Sequence, residues 1–200
     1  MITLAEKMQV LELPRGRKIK LWVYDEMRYG FHPLVRRVWS LKGARVVTSV
    51  ERRFEWGYLF GALEVGGGAS EFLYSPTVNK EADVHFLNQI AASDEDAMHV
   101  VIGDGAGFHH RNGAGELPAN LKIITLLRYS PELNAVEKFW DIVKDMICSK
   151  AWPKLDAIEE KITVTLRKYW EDTSRVMSLF LNSYLYSELN SSKKTICLFY

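Results

Sequence analysis

Alternation at the period of a strand opens the readable part of the chain. Ile19 and Lys20 lead into an apolar run, Leu21-Trp22-Val23-Tyr24, and positions 19, 21, 23 and 25 share one face. This predicts a central strand ending at Asp25. Val46-Val47-Thr48 and Tyr58 to Val65 predict antiparallel partners. Gly66-Gly67-Gly68 then supplies the positive-φ freedom for a tight turn into another strand, Glu71 to Tyr74. Beyond it the period lengthens: Asn79 is placed to cap a helix running to Ala92, with Val84, Leu87 and Ile90 spaced to face a core.

Two more apolar runs follow. His99 to Gly103 is short and continuous, as a strand buried on both faces should be, and it delivers Asp104 at its end. Leu121 to Leu126 predicts a further strand leading to Ser130-Pro131, which cannot continue it and opens a helix near Leu133. In that helix Leu133, Val136, Trp140, Val143 and Ile147 recur at helical spacing and predict a buried stripe. Asn134, Glu137, Asp141 and Lys144 form a polar line on its flank. Two more helices are predicted, Leu155 to Trp170 and Ser174 to Leu189. A sheet followed by mixed strands and helices makes an α/β layered domain.

Composition limits the picture without naming a function. Two hundred residues at 48% apolar content can bury a proper core, as one domain or one domain with an appendage. No apolar run approaches the ~18 residues of a membrane span. Glu6 and Lys7 interrupt the stretch where a signal peptide would be apolar, so a cytoplasmic protein is expected. Cys148 and Cys197 are too few and too far apart for a disulfide framework or a zinc site. The net charge of +1 gives no electrostatic footprint, but its distribution is uneven. From Arg36 to Arg53 six basic residues, Arg36, Arg37, Lys42, Arg45, Arg52 and Arg53, face the single acid Glu51. Such a patch could neutralise phosphates or form the solvated face of a hairpin, and the sequence alone leaves both readings open.

The sharpest chemistry lies in three carboxylates. Asp25 and Asp104 each end an apolar strand, and Glu137 lies early on a helix. Carboxylates are the hard oxygen ligands that Mg²⁺ prefers, and paired metals can clamp the attacking and leaving oxygens of a phosphodiester. The set therefore points to a metal-dependent enzyme acting on nucleic acid. A lone Asp at a strand end is more often a turn or cap residue, and it is the resemblance of the three surrounding segments, given below, that reverses those odds. Strand parity turns Glu26 to the face opposite Asp25, and Glu132 lies near a helix entrance, where an acid favours the macrodipole. Gly103 to Gly107 lacks dinucleotide spacing and no Lys-Ser or Lys-Thr follows it, which argues against a nucleotide loop. His109 and His110 are adjacent, and no third nitrogen or sulfur ligand is spaced to join them around zinc.

The three segments containing those carboxylates, Val23 to Gly30, Gly103 to His109 and Tyr129 to Trp140, resemble in order the signature blocks of the Asp-Asp-Glu transposase domain of bacterial insertion sequences in the mariner superfamily. Arg37-Val38-Trp39-Ser40, Lys42-Gly43 and Tyr58 to Ala62 are also similar to that family. The likeness covers residues 19 to 150, and the third block is its most specific part. Leu127-Arg128 stands where the family has paired prolines, and Gly105 stands where it has asparagine.

The resemblance implies a ribonuclease-H-like fold, a mixed five-stranded sheet flanked by helices in which the first and fourth strands lie side by side. It implies a catalytic domain over 19–150, after a lead-in (1–18) and before C-terminal helices (151–189) and a tail (190–200). The implied activity is cleavage and strand transfer at insertion-sequence ends, with Asp25, Asp104 and Glu137 holding two Mg²⁺ ions, or Mn²⁺ as substitute. His109 matches a family histidine that touches DNA or supports the site, and Arg36, Arg37, Lys42 and Arg45 are candidate DNA contacts. The implied partners are inverted-repeat and target DNA, with a second copy of the chain as homodimer, at the nucleoid. Such transposases usually carry an upstream helix-turn-helix, here expected to be lost or supplied by a separate subunit from an upstream frame. A nuclease without strand transfer, and an inactive remnant that binds DNA or dimerises with an intact transposase, are the alternatives.

Overall fold

Strand β1 (Ile19–Gly30) is the axis of a five-stranded sheet ordered β3-β2-β1-β4-β5. The computed structural model describes residues 11, 13–14, 16–31, 40–43, 47, 53–103, 117–125 and 136–181. β1 pairs antiparallel with β2 (Trp56–Glu64), which pairs antiparallel with β3 (Ser70–Ser75). On its other side β1 pairs parallel with β4 (Met98–Gly103), and β4 pairs parallel with β5 (Leu121–Thr125). The mixed sheet and the adjacency of the first and fourth strands follow the sequence expectation. All six residues of β4 are buried, as an apolar strand covered on both faces must be. The turn from β2 to β3 uses positive φ at Gly66 (86°) and Gly68 (79°).

Four described helices cover the sheet. Helix α1 (Lys80–Ala92) is capped by Asn79, whose side chain accepts the Ala82 N–H at 2.9 Å. Its Phe86, Leu87 and Ile90 pack on Trp22, Tyr24, Phe60 and Val101. Helices α2 (Val136–Ile147), α3 (Leu155–Trp170) and α4 (Thr173–Phe180) cover the opposite face, sharing one core with Leu21, Val23, Met27, Leu59 and Ile102. No helix among the described residues is long and apolar enough to cross a membrane.

Several expectations need correction. β1 does not end at Asp25 but continues to Gly30, because β2 goes on pairing with it after β4 has stopped. Its extension keeps the strand period, with Met27 and Tyr29 buried between half-buried Glu26 and exposed Arg28. β2 begins at Trp56 and leaves Val65 to the turn. Val84 is only half-buried, since α1 turns Asp83 and Phe86 inward instead, and the Tyr24 hydroxyl meets Asp83 Oδ1 at 3.3 Å. Of the strand expected at 46–48 only Val47 is described, exposed and outside any strand. The last helix is described to Phe180, and the stretch expected to carry it on to Leu189 lies outside the described residues beyond Leu181.

Two polar networks tie the layers together. At the far end of β1 the Tyr29 hydroxyl donates to Glu159 Oε1 on α3 at 2.6 Å, and the Tyr74 hydroxyl of β3 reaches Glu159 O at 3.2 Å. Burial, then the carboxylate partner, push the Tyr29 phenol well above its usual range. At the near end His99, fully buried, accepts from Trp22 Nε1 through Nδ1 at 3.0 Å, while Nε2 lies 2.9 Å from Asp94 O. This pair of contacts defines the neutral Nε2–H tautomer, and burial holds the imidazole below its ordinary 6.5. The unfolded chain therefore takes up a proton as pH falls through that value while the folded chain does not. Stability from this group is complete above pH 6.5 and declines below it. Between about pH 7.5 and 5, melting of the parent should fall more steeply than that of His99→Gln. Equal slopes in a pH series of thermal melts would remove His99 from this role.

Candidate active site

The strand register brings the first block and the end of β4 together. β1 and β4 pair from Ile19↔Met98 to Val23↔Ile102, so Gly103, the last residue of β4, falls level with Tyr24. Asp25 is the next residue of β1. It stands at the carboxyl end of the parallel pair, where open α/β sheets place their ligands. Across the other side it pairs with Gly61 of β2. Its side chain shares a face with Val23 and Met27, the face covered by α2.

Helix α2 lies over that point because of its apolar stripe. Val136, Phe139, Trp140, Val143 and Ile147 are all buried. Phe139 stacks on Phe72 of β3 with ring centroids 5.4 Å apart and meets Tyr169 of α3 edge-on at 4.8 Å. The Trp140 indole then reaches across the sheet, and its Nε1 donates to Asp25 Oδ2 at 3.1 Å. Asp25 is 9% exposed and Trp140 1%. A carboxylate this buried is costly unless hydrogen-bonded, and a buried indole needs an acceptor, so each satisfies the other. Glu137, half-buried, precedes Trp140 by three positions and so lies one turn away on the same side of the helix. β1 thus places one hard oxygen donor at this end of the sheet, and α2 carries a second, Glu137, one turn before the indole that meets Asp25.

Of the predicted site residues, Asp25 on β1 and Glu137 on α2 are described, and Trp140, one turn after Glu137, is the residue of that helix that meets Asp25. Asp104 and His109 lie outside the described residues, as do Arg36, Arg37 and Arg45. Lys42 is described, exposed in a turn. Arg53, from the same basic stretch, donates to Pro153 O at 3.0 Å and lies over the Phe31 ring at 4.9 Å. Among the described residues no three or more His, Cys, Asp or Glu side chains gather as a metal site. The donors present are nonetheless of the right kind for a hard divalent cation: oxygens, one on a largely buried carboxylate.

Sequence reasoning placed Trp140 in the buried stripe but missed its second role. The signal was available, since a fully buried tryptophan must direct its N–H at something. It also missed Gly61. A glycine inside an otherwise bulky strand marks the close approach of another group, here the Trp140 ring.

A mixed sheet in the order 3-2-1-4-5, helices on both faces, and an acidic residue where the first and fourth strands part define the ribonuclease-H-like class. The family model described as DDE superfamily endonuclease matches residues 20–159, and the chain belongs to that family. A Sinorhizobium fredii protein, y4pE/y4sA, itself uncharacterized, is 30% identical over 131 residues, covering 64% of this chain and 96% of its own length. Among solved structures, the Mos1 transposase paired-end complex with left transposon end matches at a TM-score of 0.56 and 14% identity. That match covers 79% of this chain and 52% of the other. The Mos1 mariner paired end complex with Mn matches at a TM-score of 0.56 and 15% identity, over 80% of this chain and 53% of the other. The chain thus spans about half the length of the Mos1 chains, and at these identities the likeness concerns the fold.

Proposed function

We propose that the chain is a transposase catalytic unit that cuts DNA at the ends of a mobile element and joins the cut ends to a target. The observation that carries this reading is the meeting of Asp25 with helix α2, one turn from Glu137, at the carboxyl end of the β1–β4 pair. Asp104, which directly follows Gly103, is the third carboxylate of the set. Its separation from Asp25 along the sequence equals the register offset of the two strands, which supports this assignment.

Asp25, Asp104 and Glu137 would hold two divalent ions, Mg²⁺ or Mn²⁺; the relative solved with Mn supports that class of metal. Bound there, the ions would supply activation of the attacking oxygen and stabilisation of the leaving one. The chain's own residues do the rest. Asp25 and Glu137 fix where the ions sit, and the buried aromatic face of α2 keeps the helix from shifting. Lys42, with Arg36, Arg37, Arg45 and His109, would contact DNA, phosphates first, positioning the duplex without reading its sequence. Recognition of the inverted repeats would then rest on a helix-turn-helix elsewhere, in a homodimer acting on paired ends. We assign the catalytic unit to 19–150, between a lead-in at 1–18 and the C-terminal segments 151–189 and 190–200.

The test is an end-joining assay. The full chain, with a helix-turn-helix module added in trans, is given labelled element ends, a target duplex and Mg²⁺. Joined products are expected. Cleavage without joining would favour the nuclease, and DNA binding with neither would favour the inactive partner.

A further inference from the structure

We infer that Trp140 is a positioning residue for Asp25 and that Gly61 exists to seat it. This rests on the reading of Asp25 as a metal-binding carboxylate. The indole N–H meets Oδ2 at 3.1 Å and so favours one rotation of the carboxylate about its last bond. An indole is a neutral donor. It orients the carboxylate without adding the positive charge that an Arg or Lys in its place would bring against an incoming cation.

Gly61 makes this reach possible. It pairs directly with Asp25, and a Cβ built on it would lie 2.5 Å from Trp140 Cη2 and 3.0 Å from Cζ2. Any side chain at 61 would push the ring off the strand pair. The ring is 1% exposed and packs beside Phe139 at 5.3 Å between centroids, so it has little room to yield. The same indole also sets the spacing between β1 and the turn of α2 that carries Glu137. The same hydrogen bond that orients Asp25 thus also ties β1 to the helix that carries Glu137.

The experiment uses the full chain and four variants: Trp140→Phe, Gly61→Ala, the two combined, and Asp25→Asn. Mn²⁺ affinity is measured by electron paramagnetic resonance of the free ion, and indole N–H signals are followed by ¹⁵N NMR. The signal missing from Trp140→Phe identifies the Trp140 donor. It should move in Asp25→Asn, where a neutral amide replaces the charged acceptor, and broaden on adding Mn²⁺. Trp140→Phe and Gly61→Ala should each weaken Mn²⁺ binding by about 10–100-fold, the range for partners that orient a ligand. The double variant should be no worse than either alone, because the smaller Phe ring leaves room for the added Cβ. If Trp140→Phe does not fold, Gly61→Ala carries the test, since it keeps the donor and only displaces it. Parent-like Mn²⁺ binding in the folded Trp140→Phe or Gly61→Ala protein, with binding lost in Asp25→Asn, would overturn the positioning role alone. Parent-like binding in Asp25→Asn would overturn the metal-site reading and this inference with it.

Discussion

Mg²⁺ should raise the melting temperature of the parent chain and leave Asp25→Asn, Asp104→Asn and Glu137→Gln almost unmoved. Carboxylates gathered at one end of a sheet repel one another, and a divalent cation that relieves this binds the folded state alone. At about 100 times its dissociation constant such a ligand adds about 2.7 kcal/mol, or about 5–10 °C for a chain of this size. Each substitution keeps shape and removes one charge. In Asp25→Asn the new side chain still offers an oxygen to the Trp140 indole, so the fold should survive in metal-free buffer. Cleavage should fall by more than the ~10–100-fold typical of losing a group that merely supports a ligand. Thermal melts with and without Mg²⁺, run beside a cleavage assay, check both halves. A full metal-induced shift in all three variants would sink the site.

Much of the fold was legible because local and tertiary preferences agree. β4 reads as a continuous apolar run because both its faces are covered, and α3 has the bounds its apolar spacing predicts. Asn79 caps α1 as its residue type suggests. The misreadings arise where a partner elsewhere decides. β1 outlasts Asp25 because β2 is longer than β4, a fact about pairing that no window of β1 contains. Asp83 faces inward because the Tyr24 hydroxyl awaits it across the layer. For the site, Asp25, Asp104 and Glu137 were singled out by their carboxylate chemistry together with the ordered resemblance of their three segments to the family's blocks. What the sequence hid was the support beneath Asp25. Gly61 and Trp140 lie far apart in the chain, and only the Asp25↔Gly61 register reveals that one makes room for the other.

Trp140→Ala and Glu137→Gln, three positions apart on one helix, should separate stability from chemistry. Trp140 fills the space above Gly61 and is 1% exposed, so truncating it leaves a cavity and costs about 3–5 kcal/mol. It also takes the indole donor from a buried carboxylate, which places the cost at the upper end of that range. For a chain of this size each kcal/mol is about 2–4 °C, so melting should drop by roughly 10–20 °C. Glu137 is half-buried, and Gln at that position keeps its length and helix propensity. Glu137→Gln should therefore melt with the parent while losing metal-dependent cleavage. Unfolding and cleavage are measured on the same preparations. Full cleavage by a folded Glu137→Gln protein would falsify the third ligand and shift the assignment to Glu132 or Asp141, the neighbouring acids.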